Sequence, residues 1–395
     1  MVMVASASAD SDGSNITEAE AALYDRQIRL WGLEAQTRLR NASVLLVGMT
    51  ALGAEVAKNL MLAGLKSLTV VDSETVSHSD RSSNFLLSDE STSNNRAEAC
   101  VPRCQTLNPN VQLTAKSSIH ELDETFFRES TDLDLVCVIG QSAETNLKIS
   151  EICRKLKIAF CCGDVFGWFG YSFSDFGDRF EFVEERKITA SSHTNAKDKD
   201  IQLVEEVDND TADVVSFVQD ANNPDKTLDY EPTEKRRRMA ESKPTDETTE
   251  MVKQTMKFTS HAESLLEPWP VKGVTDVMRR KTPVAFYVIQ TIQAALSKLN
   301  IPKAELSANK SVLRDCWLDV LKKYRLSKED VKCAPDDFED YCYGDFHPVS
   351  AVVGGIMAQE MIKALSQKDR PLHNTFVYNA LDATGVVVKS PPVTF

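Results

Sequence analysis

"VLLVGMTALGAEVAKNLMLAG", residues 44–64, is the stretch that decides the fold class of the chain. Its apolar run, its turn and its helical pattern ending at Gly64 are typical of the first strand, loop and helix of a nucleotide-binding unit. Gly48 and Gly53 match the first and third glycines of the pattern G-x-G-x-x-G, which permit a tight turn and close helix packing. Thr50 replaces the second glycine, which lets phosphates approach the backbone. The stretch therefore predicts the fold and a hampered phosphate loop.

The same alternation of strand and helix continues along the chain. Helical spacing from Arg26 to Leu39 predicts a helix before the first strand, and "SLTVVD" predicts a second strand ending at Asp72, where an acid usually takes ribose hydroxyls. Further predicted elements are the helix "NRAEACVPRCQTL", a strand near "VQLTA", the buried strand "DLVCVIG", the helix "ETNLKISEICRKL" and the strand "KIAFCCGD". We predict an α/β fold with a doubly wound, mainly parallel, Rossmann-like sheet.

Shifts in composition divide the chain into parts. Residues 1–20 predict a disordered tail, and residues 21–178 the first part of the sheet domain. Residues 179–270 predict an inserted small half-domain, in which "RFEFVEERKITA" indicates antiparallel strands and 205–255 a flexible acidic loop. Residues 271–395 predict the second part of the sheet domain, with two apolar helices, the helix "FHPVSAVVGGIMAQEMIKALS" and a closing two-stranded hairpin. Two adjacent glycines in that helix should let a neighbouring backbone approach closely.

Composition excludes several classes of function. A net charge of −14 argues against binding a nucleic-acid backbone, which depends on clustered Lys and Arg. No apolar run is long enough for a membrane span, and the first residues lack the pattern of a signal peptide, so we expect an intracellular protein. Nine cysteines without a C-x-x-C pair support neither a zinc site nor a disulfide framework. The basic run "EKRRR", 234–238, is either a nuclear import signal or a solvated charge cluster; we expect nuclear localisation, with the cytoplasm as second compartment.

The opening motif "YDRQIRLWG", residues 24–32, closely resembles the start of ubiquitin-like modifier activating enzymes, a family that includes bacterial ThiF and MoeB. The resemblance extends through the nucleotide-loop stretch, "NRAEA", "GDVFGWFGY" and "AVVGGIMAQEMIKALSQ", in the same order. It implies that two related adenylation folds pair and that usually one of them is active. The active one uses ATP and Mg²⁺ to adenylate the C-terminal glycine of the modifier, and a catalytic cysteine then takes the modifier as a thioester.

Several residues depart from the pattern of active members of this family. Active members carry S-N-L-x-R-Q-F, whose Asn and Arg face the phosphates, and alignment on the Phe of "SHSDRSSNF" places Asp80 and Ser83 there. Arg96 replaces a Lys, and Glu144 is the only acid near the expected magnesium-binding Asp. An acid facing a triphosphate is repulsive. These departures predict that the chain's own adenylation site is inactive. Within the family, the chain most resembles the smaller, non-catalytic subunits of heterodimeric activating enzymes for SUMO. The corresponding subunits for neddylation share the opening motif but tend to be longer.

The resemblance implies that this chain contributes one residue, Arg26, to the active site of the catalytic subunit. Arg26 reaches in trans, across the subunit interface, toward the ATP bound there. Without the resemblance, Arg26 and Arg29 would be solvent-facing helix charges. Gly48, Gly53 and Asp72 are then a vestigial nucleotide loop. We expect this chain to bind no cofactor tightly and no metal, and we expect ATP and Mg²⁺ in the partner, with SUMO contacted through the complex.

Four other points concern residues or functions outside this resemblance. Cys161 and Cys162 end a predicted buried strand and are expected to be core residues, not nucleophiles. The strand, loop and Asp72 also suit an NAD-dependent oxidoreductase, although Thr50 and the scattered histidines argue against it. The chain could be a self-contained adenylating enzyme of the ThiF kind only if it bound ATP in spite of these departures. The helix "AVVGGIMAQEMIKAL" either packs in the core or contributes to a subunit contact.

Overall fold

The computed structural model describes residues 16–88, 94–188, 214–216, 248–266, 282–301, 303–327, 331 and 337–388. Within these residues the main sheet has nine strands in the order β3-β2-β1-β4-β5-β6-β10-β11-β8, and β7 pairs with β9 in a separate ribbon. The strands are β1 Ser43–Val47, β2 Ser67–Val71, β3 Gln112–Lys116, β4 Leu135–Ile139, β5 Ala159–Phe166, β6 Phe169–Asp175, β7 Phe180–Ile188, β8 Val214–Ser216, β9 Thr248–Met256, β10 Thr375–Asn379 and β11 Thr384–Val388.

Helices cover the sheet and join its parallel strands. They are α1 Glu18–Leu23, α2 Asp25–Trp31, α3 Leu33–Asn41, α4 Ala51–Ala63, α5 His78–Ser83, α6 Arg96–Leu107, α7 Glu124–Glu129, α8 Ala143–Leu156, α9 His261–Leu266, α10 Val284–Leu299, α11 Lys310–Lys323 and α12 His347–Ser366. Short 3₁₀ turns occupy Ile119–Glu121, Lys303–Asn309 and Phe338–Asp340.

The parallel half of the sheet confirms the predicted fold class. Strands β3, β2, β1, β4 and β5 are all parallel, and β1 and β4 are buried along their whole length. Strands buried on both faces read as continuous apolar runs, because helices cover both sides of a parallel sheet. The predicted helix after the first strand is α4, which begins after Thr50 and ends at Gly64 in the left-handed conformation.

Antiparallel strands extend the sheet beyond β5. Strands β6, β10, β11 and β8 follow, and the predicted closing hairpin is β10–β11. Helices α10 and α11 pack over this half in a second hydrophobic core. Helix α12 packs against α4, where a Cβ on Gly354 would lie 2.7 Å from Glu55 Cβ. The expected close approach is confirmed for Gly354 and is wrong for Gly355, whose added Cβ would meet no described atom within 4 Å.

The predicted insertion is an antiparallel ribbon of β7 and β9. It leaves the sheet domain at Gly177 and returns at Phe258, whose N–H donates to Gly177 O at 2.9 Å. Helix α9 then packs on α8, so the sheet domain resumes before the predicted boundary at residue 270. Two parts of the predicted flexible loop 205–255 are strands, β8 and all of β9 except its last residue, because both find pairing partners. The basic run 234–238 lies outside the described residues.

The opening of the chain differs from its prediction in two respects. Helix α1 begins at Glu18 with a capping box between Thr17 and Glu20, so the predicted tail of residues 1–20 ends too late. The single helix predicted from Arg26 to Leu39 is broken at Gly32, which has φ +93° and ψ 160°. Only glycine readily adopts that conformation, and α3 starts from it in a new direction.

The described cysteines are buried free thiols, as expected. Cys161 and Cys162 lie on β5, and burial raises the pKa of Cys161 to about 12. A thiol with such a pKa stays protonated and is a poor nucleophile at neutral pH. Among the described helices, none has the length and apolar character needed to span a bilayer.

Gly64 gives a test of the packing beneath the opening helices. A methyl group there would lie 2.5 Å from Tyr24 Oη, so we expect Gly64→Ala to lower the free energy of unfolding by about 2–4 kcal/mol through overpacking and backbone strain. Lys157, which ends α8 in the same left-handed conformation, shows that side chains are tolerated at such a position. Lys157→Ala is therefore the control in urea denaturation, and equal losses in the two variants would contradict the explanation.

Candidate functional site

The predicted nucleotide loop lies where the strand order of the sheet reverses. Strand β1 has β2 on one side and β4 on the other, and ligands of doubly wound folds bind at the carboxyl ends of such strands. Gly48 has φ +93°, and a Cβ there would lie 2.1 Å from Ile139 O. A Cβ on Gly53 would lie 2.1 Å from Gly48 O. Both glycines are therefore required by the turn and by the approach of α4 to β1.

Thr50 occupies the loop in a way that glycine could not. Its backbone is extended, and its hydroxyl caps α4 by accepting a hydrogen bond from Gly53 N–H at 3.4 Å. The side chain is buried, and its methyl carbon lies 3.4 Å from where a Cβ on Gly140 would be. A donor at the start of the helix is thus satisfied from within the protein. The methyl group fills space between the two strand ends.

The carboxylate of Asp72 is fully engaged by the protein. Its Oδ2 accepts from Met49 N–H at 2.6 Å and from Arg96 Nε at 2.7 Å. Its Oδ1 accepts from Glu74 N–H at 2.9 Å and from Arg96 Nη2 at 3.2 Å. A carboxylate has about four lone-pair sites, and each oxygen of Asp72 already accepts two hydrogen bonds. Ribose hydroxyls would have to displace an arginine from a buried pair.

Arg96 also pairs with Asp80, whose Oδ1 lies 3.2 Å from Nη1. Although burial opposes it, the carboxylates of Asp72 and Asp80 raise the pKa of Arg96. Asp80 accepts from the N–H and hydroxyl of Ser77, the N-cap of α5, and so completes its capping box. The prediction that Asp80 is an acid facing a triphosphate is therefore wrong, because Arg96 neutralises it. Arg96, which replaces a Lys of active members, is held in turn by Asp72 and Asp80.

Ser83 and Glu144 also depart from the pattern of active members. Both lie at the edge of the crevice beside the nucleotide loop. The hydroxyl of Ser83 donates to Ser79 O at 3.0 Å, and Ser83 O lies 3.0 Å from His347 Nδ1 at the start of α12. Glu144 is exposed in the first turn of α8. Across the described chain, His, Cys, Asp and Glu side chains form no group of three or more that could hold a metal ion.

A second buried ion cluster, which the sequence analysis did not predict, closes the far side of the crevice. Lys303 donates to Asp164 Oδ1 at 2.7 Å, to Val165 O at 2.9 Å and to Asp345 Oδ1 at 2.6 Å. Although burial opposes it, the two carboxylates raise the pKa of Lys303. All three N–H donors of the ammonium are used, so Lys303 is unavailable to a phosphate. A lone lysine in a sequence gives no signal of such a cluster.

Three residues of the opening motif, spaced three and four apart, anchor α2 to the sheet domain. Tyr24 is buried, and its hydroxyl accepts from Asn108 Nδ2 at 2.8 Å. Gln27 Nε2 donates to Leu62 O at 2.9 Å. Trp31 Nε1 donates to Gln36 Oε1, and Gln36 Nε2 donates in turn to Ala63 O, each at 2.9 Å. These contacts hold α2 against the carboxyl-terminal end of α4.

Arg26 lies on the opposite side of α2 from these anchors. Its side chain is exposed and forms no hydrogen bond or ion pair with any described residue, whereas Arg29 pairs with Asp25 at 3.0 Å. The nucleotide loop precedes α4, and α2 contacts the other end of that 13-residue helix, so about 20 Å separates them. The structure thus brings Gly48, Gly53 and Asp72 together and places Arg26 apart from them.

The residues of the crevice do not fit ATP. The carboxylate expected to bind the ribose is saturated, a branched side chain stands where phosphates would approach, and both nearby cations are paired with acids. Binding would require breaking a buried ion pair, which costs about 3–5 kcal/mol when one partner loses the other.

Comparisons with known proteins agree with this architecture. The model of the ThiF family matches residues 24–393. The chain is 38% identical over 377 residues to SUMO-activating enzyme subunit 1 of Bos taurus and to that of Homo sapiens, covering 95% of this chain and 96% of each relative. It is 36% identical to the protein of the same name from Danio rerio, covering 96% of this chain and 97% of the relative.

The variant Thr50→Gly tests whether Thr50 or the ion pair of Asp72 and Arg96 excludes a nucleotide from the crevice. The variant restores the G-x-G-x-x-G pattern, and replacing a threonine cap by glycine costs only a few tenths of a kcal/mol. We expect titration calorimetry of the isolated variant to show no gain in ATP affinity over the wild-type chain, because Arg96 still covers Asp72. A clear gain in affinity would mean that Thr50, and not the ion pair, excludes the nucleotide. Thr50→Ala serves as the control that loses the cap without restoring glycine.

Proposed function

The chain belongs to the ThiF family, and from this premise we propose that it is the non-catalytic subunit of a heterodimeric SUMO-activating enzyme. In this proposal a catalytic partner binds ATP and Mg²⁺, adenylates SUMO and forms the thioester. This chain stabilises the partner and contributes Arg26 to its ATP site. On its own the chain has no adenylation activity.

One observation carries the proposal: the exposed arginine of the opening motif is far from the chain's own crevice. An arginine side chain cannot span the roughly 20 Å length of α4. Arg26 therefore cannot assist chemistry at its own nucleotide loop, whereas a neighbouring subunit can meet it directly. The anchors that flank it in sequence, Tyr24 and Gln27, hold the backbone of α2 in place, so only the Arg26 side chain has to be ordered on binding.

The chemistry of the guanidinium suits this role. When a carboxylate oxygen attacks the α-phosphorus of ATP, the bond to the bridging oxygen breaks and negative charge moves to the departing pyrophosphate. A planar, permanently charged group with five N–H donors stabilises that charge without any proton transfer. Arginines supplied in trans act in this way in other phosphate-transferring enzymes.

The alternatives receive less support from the structure. An NAD-dependent oxidoreductase requires an open phosphate loop and a free ribose-binding acid, and Thr50 and Asp72 provide neither. A self-contained adenylating enzyme has the same requirement for a nucleotide. The neddylation subunit is disfavoured because the relatives at 38% identity over 95% of this chain carry the SUMO name.

Nuclear localisation is part of the proposal and depends on the basic run 234–238, which lies outside the described residues. If this run is an import signal, replacing its three arginines by glutamines should move a fluorescent fusion of the full chain from the nucleus to the cytoplasm. An unchanged distribution would leave the run as a solvated charge cluster.

The role of Arg26 is tested by SUMO-dependent ATP–pyrophosphate exchange in the assembled heterodimer. We expect Arg26→Ala to reduce kcat by about 10²–10³, because it removes charge stabilisation from the transition state. Arg29→Ala on the same helix is the matched control, since Arg29 is paired with Asp25 and should matter little. Wild-type exchange rates with Arg26→Ala, or exchange by the isolated chain, would contradict the proposal.

A further inference from the structure

The last turn of α4 is held by three amide side chains that come from three other elements of the chain. The final carbonyl groups of a helix have no partner within the helix, so other groups must satisfy them. Here Asn108 Nδ2 donates to Met61 O at 2.8 Å, Gln27 Nε2 donates to Leu62 O at 2.9 Å, and Gln36 Nε2 donates to Ala63 O at 2.9 Å. The end of α4 is therefore the point at which α2, α3 and the end of α6 are fixed relative to one another.

Asn108 joins the end of α4 to the residue at which α2 begins. It follows the last residue of α6, and its side chain is buried. Its Nδ2 donates both to Met61 O and to the hydroxyl of Tyr24, each at 2.8 Å. Its Oδ1 accepts from Asn110 N–H at 3.1 Å, so both ends of the amide are held. Tyr24 is the N-cap of α2, and Asn108 thereby fixes the start of that helix.

The position of α2 depends on contacts of this kind. The helix has seven residues, and none of them is fully buried. An isolated helix of that length is not stable in water. Tyr24 packs so closely on the end of α4 that a Cβ on Gly64 would lie 2.5 Å from its ring carbon Cζ. The bond from Asn108 to the hydroxyl fixes where the ring lies along that surface.

We propose that Asn108 is a positioning residue for Arg26. Its amide holds Tyr24, and through Tyr24 the first turn of α2, at the place from which Arg26 reaches the ATP of the catalytic partner. This inference rests on the proposed function and deepens it. Arg26 lies two residues after Tyr24 and directly before Gln27, so the backbone that carries it is held on both sides. Asn108 is buried and acts on the reaction only through Tyr24 and Arg26.

Position matters for this reaction because Arg26 acts on charge that develops in the transition state. A displacement of about 1 Å can lower the rate of a catalysed step by about 10²-fold. The amide of Asn108 suits the task, since it is planar, carries no charge and presents two N–H donors in a fixed geometry. Replacement by aspartate would keep the shape of the side chain but remove both donors and turn a carboxylate oxygen toward Met61 O.

The test is SUMO-dependent ATP–pyrophosphate exchange by the assembled heterodimer, with the catalytic partner at saturating concentration. We expect Asn108→Ala and Asn108→Asp to lower kcat by about 10–100-fold, which is less than the loss with Arg26→Ala. The KM for ATP should stay unchanged, because the transition state loses stabilisation and the ground state does not. Tyr24→Phe keeps the ring and loses only the hydroxyl, so it should lower kcat by about 3–10-fold, the equivalent of one hydrogen bond. It decides the question if the Asn108 variants fail to fold.

A double-mutant cycle distinguishes positioning from a general loss of structure. If Asn108 acts through Arg26, the double variant Asn108→Ala, Arg26→Ala should have the kcat of Arg26→Ala alone, within a factor of about two. Independent effects would multiply. Val320→Ala is the control for stability, because Val320 is buried in the second hydrophobic core on α11, and its truncation lowers the Tm without touching α2. Its kcat should equal that of the wild type.

Three results would each overturn the inference: wild-type kcat in the Asn108 and Tyr24 variants, multiplied losses in the double variant, or an equal loss of kcat in Val320→Ala. The proposed function fails separately, if Arg26→Ala itself keeps the wild-type rate. A loss with Arg26→Ala and none with Asn108→Ala would leave the proposed function standing and remove only the positioning role.

Discussion

The buried pair of Asp72 and Arg96 is the interaction on which the candidate site depends. It joins the end of β2 to the start of α6, and through Met49 N–H it also fixes the turn after β1. The bond from Arg96 to Asp80 adds α5 to the same network. In a nucleotide-binding fold this position is where a ligand would be held. Here the protein's own guanidinium takes that position, so the fold is stabilised by groups that a nucleotide would otherwise use.

The closed crevice and the exposed arginine belong to opposite ends of the same helix. Thr50 and the ion pair close the amino-terminal end of α4, while Tyr24, Gln27 and Trp31 fix α2 at its carboxyl-terminal end. In the proposed function, the Rossmann-like framework serves as a rigid support, which a residue acting in trans requires. The proposal thus assigns the two ends of α4 to different subunits of one site.

Much of this could be predicted from the sequence, because the signals are local. The strand, turn and helix of residues 44–64 follow from periodicity and glycine spacing, and Gly48 and Gly53 have the packing roles expected of them. The errors arose where a residue's role depends on distant partners. Asp80 and Arg96 looked like separate departures, since only the folded chain brings them together. Gly354 and Gly355 are adjacent residues of the same type, yet only Gly354 faces α4. The break at Gly32 was missed because periodicity continues through it.

The central claim, that this subunit supplies a residue but no nucleotide site, is tested most directly by the stoichiometry of nucleotide binding. Equilibrium dialysis of the assembled heterodimer with a non-hydrolysable ATP analogue and Mg²⁺ would count the sites. The account predicts one nucleotide per heterodimer, because Arg96 occupies the second crevice. Two nucleotides per heterodimer would mean that the crevice at Asp72 opens in the complex, and would contradict the account.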